Sequence, residues 1–410
     1  MEVKLYNSEL GSFMLFKKSF LALLQSVLSI SLLISCSTEN PEATKKLAEK
    51  NIEKVLPTKA SSPKTADVQP KVEKPFNDGP YIFKTTDNLH AYWLCNGKAE
   101  NLTVKNKFAD NTNYKQLFNR CTTDVVVDRI HFKETSILTY QGDFNVVATS
   151  DFHGQYGVMN TLLKNNRVID ENNHWAFGDG HFVITGDVFD RGDKVTEILW
   201  FLYRLEKEAE LAGGKLHLLL GNHEVMVLNG DLRYLHPKYV EVAEKLNQPF
   251  EKLYGKGTVL GDWLRTKPVL VKINNMLFAH GGFHPSLAQE KRTLTDINQV
   301  FKANLVKEEL ATPREGWGEY LHKSDGPIWY RGYFKDNGAS PQEVDLLLSH
   351  FDIDYLVVGH TSQKQVETRH KGKVIAIDSS IKKGKYGELL FVDGDKKWRG
   401  SLTGEKLPLH

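Results

Sequence analysis

Residues 181–192 read HFVITGDVFDRG, and this stretch decides the fold. His181–Thr185 is a short apolar run without polar alternation, as expected for a strand buried on both faces. It breaks at Gly186 into a polar turn, and a long helical pattern follows over roughly Val195–Ala212, with apolar residues at helical spacing. The arrangement recurs on either side. Phe144–Thr149 ends in SDFHG (Ser150–Gly154) before a helical pattern from Tyr156 to Leu163, and Leu216–Leu220 ends in GNHE (Gly221–Glu224). Val269–Ala279 ends in HGG (His280–Gly282), and Tyr355–Val358 ends in Gly359-His360-Thr361. Buried strands alternating with helices predict an α/β core, and ligands in such folds bind beyond the carboxyl ends of the strands. Here every strand end carries Asp, His or Asn.

Those residue types suggest metal chemistry. Mixed oxygen and imidazole donors suit Mn, Fe or Zn. Asp151 and His153 stand two apart and can converge on one ion. Asp187 has two oxygens to share between ions, and Asn222, His280 and His360 can complete a second. Two ions about 3.5–4 Å apart acidify a bridging water and clamp the oxygens of an in-line displacement, so phosphate esters are hydrolysed by direct attack of hydroxide. Arg191 offers a planar fork for phosphate. His223 can protonate the leaving oxygen, with Asp190 orienting and charging its ring.

The motifs resemble those of the calcineurin-like metallophosphoesterases, phosphoprotein phosphatase type: GDxHG, GDxxDRG, GNHE, HGG and GH occur in order over about residues 144–380. GNHEVMVLNGDLRY (Gly221–Tyr234) and DGPIWYR (Asp325–Arg331) narrow the likeness to the bacterial Shewanella-like protein phosphatases. The resemblance implies a four-layer β-sandwich flanked by helices. It assigns Asp151, His153 and Asp187 to a first metal and Asp187, Asn222, His280 and His360 to a second, with Asn222 also at the phosphate. It makes His223 the general acid, supports it with Asp190, and sets Arg331 opposite Arg191 on the phosphate. Three positions depart from the pattern. Ser150 replaces a glycine, Ser362 stands where phosphodiesterases carry a second His, and Phe283 follows HGG. The implied activity is phosphomonoester hydrolysis on a phosphorylated protein, peptide or small ester, with phosphotyrosine first. A dinucleoside polyphosphate hydrolase with the same metal set is the alternative enzyme, and a non-catalytic surface binding protein the alternative class. No metal ligand or catalytic residue is lost, which counts against the latter.

The rest of the chain is organised around this core. Lys17 and Lys18 precede an apolar run, Phe20–Ile34, ending in Leu33-Ile34-Ser35-Cys36. This is the layout of a secretory signal, and its end resembles a lipobox. The run is shorter than the roughly 20 residues a spanning helix needs, so residues 1–35 are expected to be a lipoprotein signal peptide with Cys36 lipidated. The product would be an exported bacterial lipoprotein, membrane-anchored through its lipid and facing the periplasm or the surface. A start at Met14 gives this signal more usual proportions. Residues 36–75 carry five prolines and, from residue 37, no Phe, Trp, Tyr or Gly, the composition of a disordered tether. Residues 76–142 read as a small β-rich lobe and 143–405 as the catalytic domain. In an oxidising compartment Cys95 and Cys121 favour a disulfide over two buried thiols. Over all 410 residues, 53 Lys+Arg against 51 Asp+Glu leave a formal charge of +2, which excludes a nucleic-acid footprint.

Overall fold

The computed structural model describes residues 74–108, 113–134 and 136–410. The signal segment, Cys36 and the tether as far as residue 73 lie outside the described residues. Two six-stranded sheets form the core. One has the order β17 (Lys406–Pro408), β16 (Lys396–Ser401), β15 (Glu388–Asp393), β7 (Val146–Thr149), β8 (His181–Ile184), β9 (Lys215–Leu218), and the other β13 (Glu367–Arg369), β14 (Val374–Ala376), β12 (Tyr355–Val358), β11 (Met276–Ala279), β10 (Leu270–Ile273), β6 (Thr139–Tyr140). In the first, β7, β8 and β9 run parallel, with β9 at the edge. In the second, β11 (Met276–Ala279), β12 (Tyr355–Val358) and β14 (Val374–Ala376) run parallel.

Strand periodicity explains why these runs are apolar throughout. Val146 and Ala148 on β7, Met276 and Phe278 on β11, and Val357 on β12 belong to one buried cluster shared by the two sheets. The alternate residues Val147, Leu277 and Leu356 belong to the larger core that also takes in the helices. A strand covered on both faces has no polar side to alternate with. On one outer face, helix Val195–Leu211 buries Ile198, Leu199, Leu202, Leu205 and Ala209, one stripe at helical spacing. Near the other sheet, helix Leu294–Ala303 is tied to β10 (Leu270–Ile273) where Asn298 Oδ1 accepts from Val269 N at 3.1 Å. Helix, sheet, sheet, helix make the four-layer sandwich.

Two expectations need redrawing. The run Val269–Ala279 is a hairpin rather than one strand: β10 and β11 pair antiparallel with Ile273 opposite Met276, and Asn274 turns the chain at φ 50°. Asparagine tolerates that left-handed geometry, so an apolar run can reverse without glycine or proline. The boundary at residue 142 is also crossed by the structure. Thr139–Tyr140 forms β6, the edge strand beside β10.

The segment before it forms an antiparallel sheet of β1 (Asp78–Lys84), β2 (Asn88–Cys95) and β3 (Lys98–Lys105), and a ribbon of β4 (Gln116–Phe118) with β5 (Val125–Val127). The buried residues of both pack in the same core as the helices that flank the large sheets. Trp200 Nε1 donates to Pro80 O at 2.9 Å, and Tyr81 and Thr196 hydroxyls meet at 3.1 Å. Cys95 and Cys121 form a disulfide with Cα atoms 5.5 Å apart. Among the described residues, no helix is long and apolar enough to cross a membrane.

Candidate metal centre

The loops after β7, β8, β9, β11 and β12 meet at one end of the sandwich, and each delivers its polar residues to one buried cluster. Their backbones are unusual: Asp151, His153, Asp187, Asp190, Arg191 and His360 all have φ between 45° and 70°. Left-handed backbone costs an ordinary residue about 1–2 kcal/mol and collects at functional sites, held by its surroundings. Glu224 supplies much of that hold. Its carboxylate accepts from Asp187 N and Gly221 N, both at 2.8 Å, and from Val188 N at 2.7 Å. The motif glutamate therefore does more than cap helix Asn222–Leu228; it ties the β8 loop to that helix. Gly221 is required for the close approach, since a Cβ there would sit 2.4 Å from Asp187 Oδ1.

Asp187 is the centre of the cluster. Its Oδ2 lies 3.5 Å from His153 Nε2, 3.8 Å from His223 Nε2 and 3.2 Å from His280 Nε2. Two groups of ligand-competent side chains therefore share it: His153, Asp187 and His223, and Asp187, His280 and His360. Asp151 Oδ1 is 3.6 Å from His153 Nε2. Its other oxygen accepts from Ser150 Oγ at 2.5 Å and His360 N at 3.0 Å. The Ser150 departure thus adds a hydroxyl that orients a ligand carboxylate.

The tautomers favour a cation. His153 Nδ1 faces Phe189 O at 2.7 Å and His280 Nδ1 faces Thr185 O at 3.0 Å, so each donates there and turns Nε2 into the cluster. His280 Nε2 then confronts Asn222 Oδ1 at 2.8 Å, His360 Nδ1 at 3.1 Å and Asp187 Oδ2. Four acceptors around one point repel unless a cation lies among them. A proton is the minimum such cation. Burial opposes it, yet Asp187 and Asp151 raise the His280 pKa to about 9. Burial likewise works against Asp187, but His280 and His223 hold its carboxyl well below the usual range. His360 moves the other way, pushed down by burial, His280 and Arg331, and its Nε2 is buried without a hydrogen-bond partner. A buried acceptor without a partner, a low carboxylate and imidazole nitrogens turned inward form a donor set that fits a divalent ion.

The remaining site residues surround this cluster. His223 Nδ1 and Asp190 Oδ2 are 2.5 Å apart; burial disfavours the imidazolium, but Asp187 and Asp190 raise the His223 pKa. Arg191 is exposed, its guanidinium 5.1 Å from the Tyr234 ring, which in turn lies 5.2 Å from the His223 ring. Arg331 lies beside His360, with Nη1 donating to His360 O and Thr361 Oγ1, both at 3.1 Å. Phe283 is fully buried and packs on Phe351. Ser362 donates to Asp378 at 2.5 Å.

Sequence reasoning missed Asp378, a buried carboxyl that burial and Asp151 push to about 7. No motif marks it. Tyr234 and Trp329 were also unassigned, although both lie in the segments GDLRY and DGPIWYR. His181 and His217 belong elsewhere: they pair at 3.1 Å at the start of β8 and within β9, His181 stacked on Phe144.

Known proteins resemble this chain in sequence and fold. The crystal structure of a cold-active protein-tyrosine phosphatase from a psychrophilic Shewanella species superposes with a TM-score of 0.76 at 41% identity, covering 82% of this chain and 100% of that one. Shewanella-like protein phosphatase 1 of Plasmodium berghei is 31% identical over 248 residues, 58% of this chain and 66% of its own length. Shewanella-like protein phosphatase 2 of Arabidopsis thaliana is 42% identical over a shorter span of 96 residues, 23% of this chain and 25% of its own. The profile of the calcineurin-like phosphoesterases matches residues 144–364, more than half of the chain and all of its ligand loops: the protein belongs to the calcineurin-like phosphoesterase family.

Proposed function

We propose that the protein is a two-metal phosphomonoester hydrolase acting on phosphorylated protein or peptide, with phosphotyrosine the first substrate. The observation that carries this reading is Asp187 Oδ2, within 3.2–3.8 Å of three imidazole nitrogens from opposite sides of the cluster. One carboxylate shared by two donor groups is what a pair of ions needs. Asp151, His153 and Asp187 would hold one and Asp187, Asn222, His280 and His360 the other, with Mn, Fe and Zn all chemically compatible. Such ions supply Lewis acidity toward phosphate oxygens and acidify water.

The chain's own groups do the rest. Arg331 and Arg191 bind the phosphate from the His360 and Tyr234 sides. Asp190 takes the Nδ1–H of His223, so the charged ring keeps a proton on Nε2 for the departing oxygen. The 41% identity to a tyrosine-directed phosphatase supports phosphotyrosine.

The test is an activity panel on the full chain, stripped with chelator and reloaded with single metals. Phosphotyrosine peptide, phosphoserine peptide, a phosphodiester and diadenosine tetraphosphate are compared, with His223→Asn as control. Monoester turnover restored by metal is expected, fastest on phosphotyrosine. Faster turnover of diadenosine tetraphosphate would move the protein to the polyphosphate hydrolases. No turnover with metal bound would leave a binding protein.

We further propose, on the sequence of residues 1–36, that lipidated Cys36 anchors the enzyme to a membrane. Cys36→Ala should shift the expressed protein from the detergent phase to the aqueous phase; unchanged partitioning would refute the anchor.

A further inference from the structure

A cavity of about 580 Å³ adjoins the metal centre, with Trp329 and Arg331 in its wall. Both side chains also touch the ligand cluster. The Trp329 ring stands edge-on to the His360 ring at 5.6 Å, and Arg331 donates to His360 O. The cavity and the metal site are therefore neighbours sharing two residues. Hundreds of cubic ångströms suit an organic ligand of many atoms, far beyond a phosphate group.

The lining carries two uncommitted charges. Lys335 and Asp325 make no ion pair or side-chain hydrogen bond among the described residues. Glu343 differs, because its carboxylate accepts from Ser340 N and Oγ at 2.8 Å as part of a helix cap. A compact aryl phosphate has no group to place in a second, charged cavity. A peptide bound through its phosphorylated side chain must lay its neighbouring residues somewhere beside the site.

We propose that this cavity holds the residues flanking the phosphorylated side chain of a peptide substrate, an acidic neighbour pairing with Lys335 and a basic one with Asp325. The proposal rests on the phosphatase reading above and names its substrate class: peptide segments with charged flanks rather than small esters. Unpaired rim charges of this kind discriminate between partners more than they add affinity.

The experiment measures kcat/KM of the metal-loaded full chain on phosphotyrosine peptides with acidic, neutral or basic flanks, each expressed as a ratio to p-nitrophenyl phosphate. Lys335→Glu should lower the ratio for the acidic peptide about fivefold or more, chiefly through KM, and Asp325→Lys should do so for the basic peptide. Ala339→Phe, which fills the cavity, should lower the ratio for all three. Calorimetric titration of the acidic phosphopeptide should show the same weakening by Lys335→Glu without turnover. Ratios that stay constant across the variants overturn the cavity assignment and leave the phosphatase reading intact. Failure of the unaltered chain to hydrolyse p-nitrophenyl phosphate overturns both.

Discussion

In the proposed mechanism the Asp190 carboxylate acts through His223. Its Oδ2 takes the Nδ1 proton, and its charge helps raise the imidazole pKa against burial. General acid catalysis contributes on the order of 10²–10⁴-fold, in proportion to how much the leaving group needs a proton. Asp190→Asn should therefore lower kcat on phosphotyrosine by roughly 10–100-fold, and much less on p-nitrophenyl phosphate, whose leaving group departs without help. Equal losses on both substrates would reduce Asp190 to a structural role. At this scale the motif residues were legible because chemistry restricts them: an acid, an imidazole and an arginine at fixed spacing have few other uses. Ser150 was legible only as a departure. That its hydroxyl holds Asp151 depends on Thr185, which donates to it at 2.7 Å from the neighbouring strand.

At the scale of elements, the strands were read from unbroken apolar runs, and the same signal concealed the β10–β11 hairpin. Asn274 and Asn275 are the only polar residues at that reversal, and two asparagines do not interrupt a hydrophobic pattern as glycine or proline would. The end of the sheet carrying His181 and His217 tests a second consequence of burial. Desolvation leads in lowering both pKa values, to about 4 for His181. Between about pH 6.5 and 4 the unfolded chain then binds protons that the folded chain refuses. Stability should fall as the pH drops through that window. His217→Leu should flatten the acid side of a plot of Tm against pH; an unchanged slope would mean the pair titrates normally. The amino-terminal sheet offers a separate test. Cys95 and Cys121 close a loop with a sequence separation of 26, worth about 3.5 kcal/mol by chain entropy. Replacing both by Ala should lower unfolding stability by about that amount while metal-dependent activity persists.

For the whole molecule, the metal centre sits where two sheets would otherwise be joined by repelling acceptors. Ligand binding to the folded state alone stabilises it by about 2.7 kcal/mol at a hundredfold excess over Kd. Chelation should therefore lower Tm by several degrees and metal should restore it, with His280→Asn losing the metal-dependent part. A Tm indifferent to chelator in the native chain would mean the cluster binds no ion tightly. The alternation of buried strands and helices and the candidate ligands at the strand ends were legible in sequence, because backbone period and donor chemistry are local properties. Which loops meet did not. Asp187 and His280 are 93 positions apart and become neighbours only when two sheets pack face to face, and Arg331 reaches His360 only through that packing. The partnership of Ser362 with Asp378, the entry of β6 into the second sheet and the cavity beside Trp329 were likewise decided by tertiary structure, since each depends on which distant surfaces become adjacent.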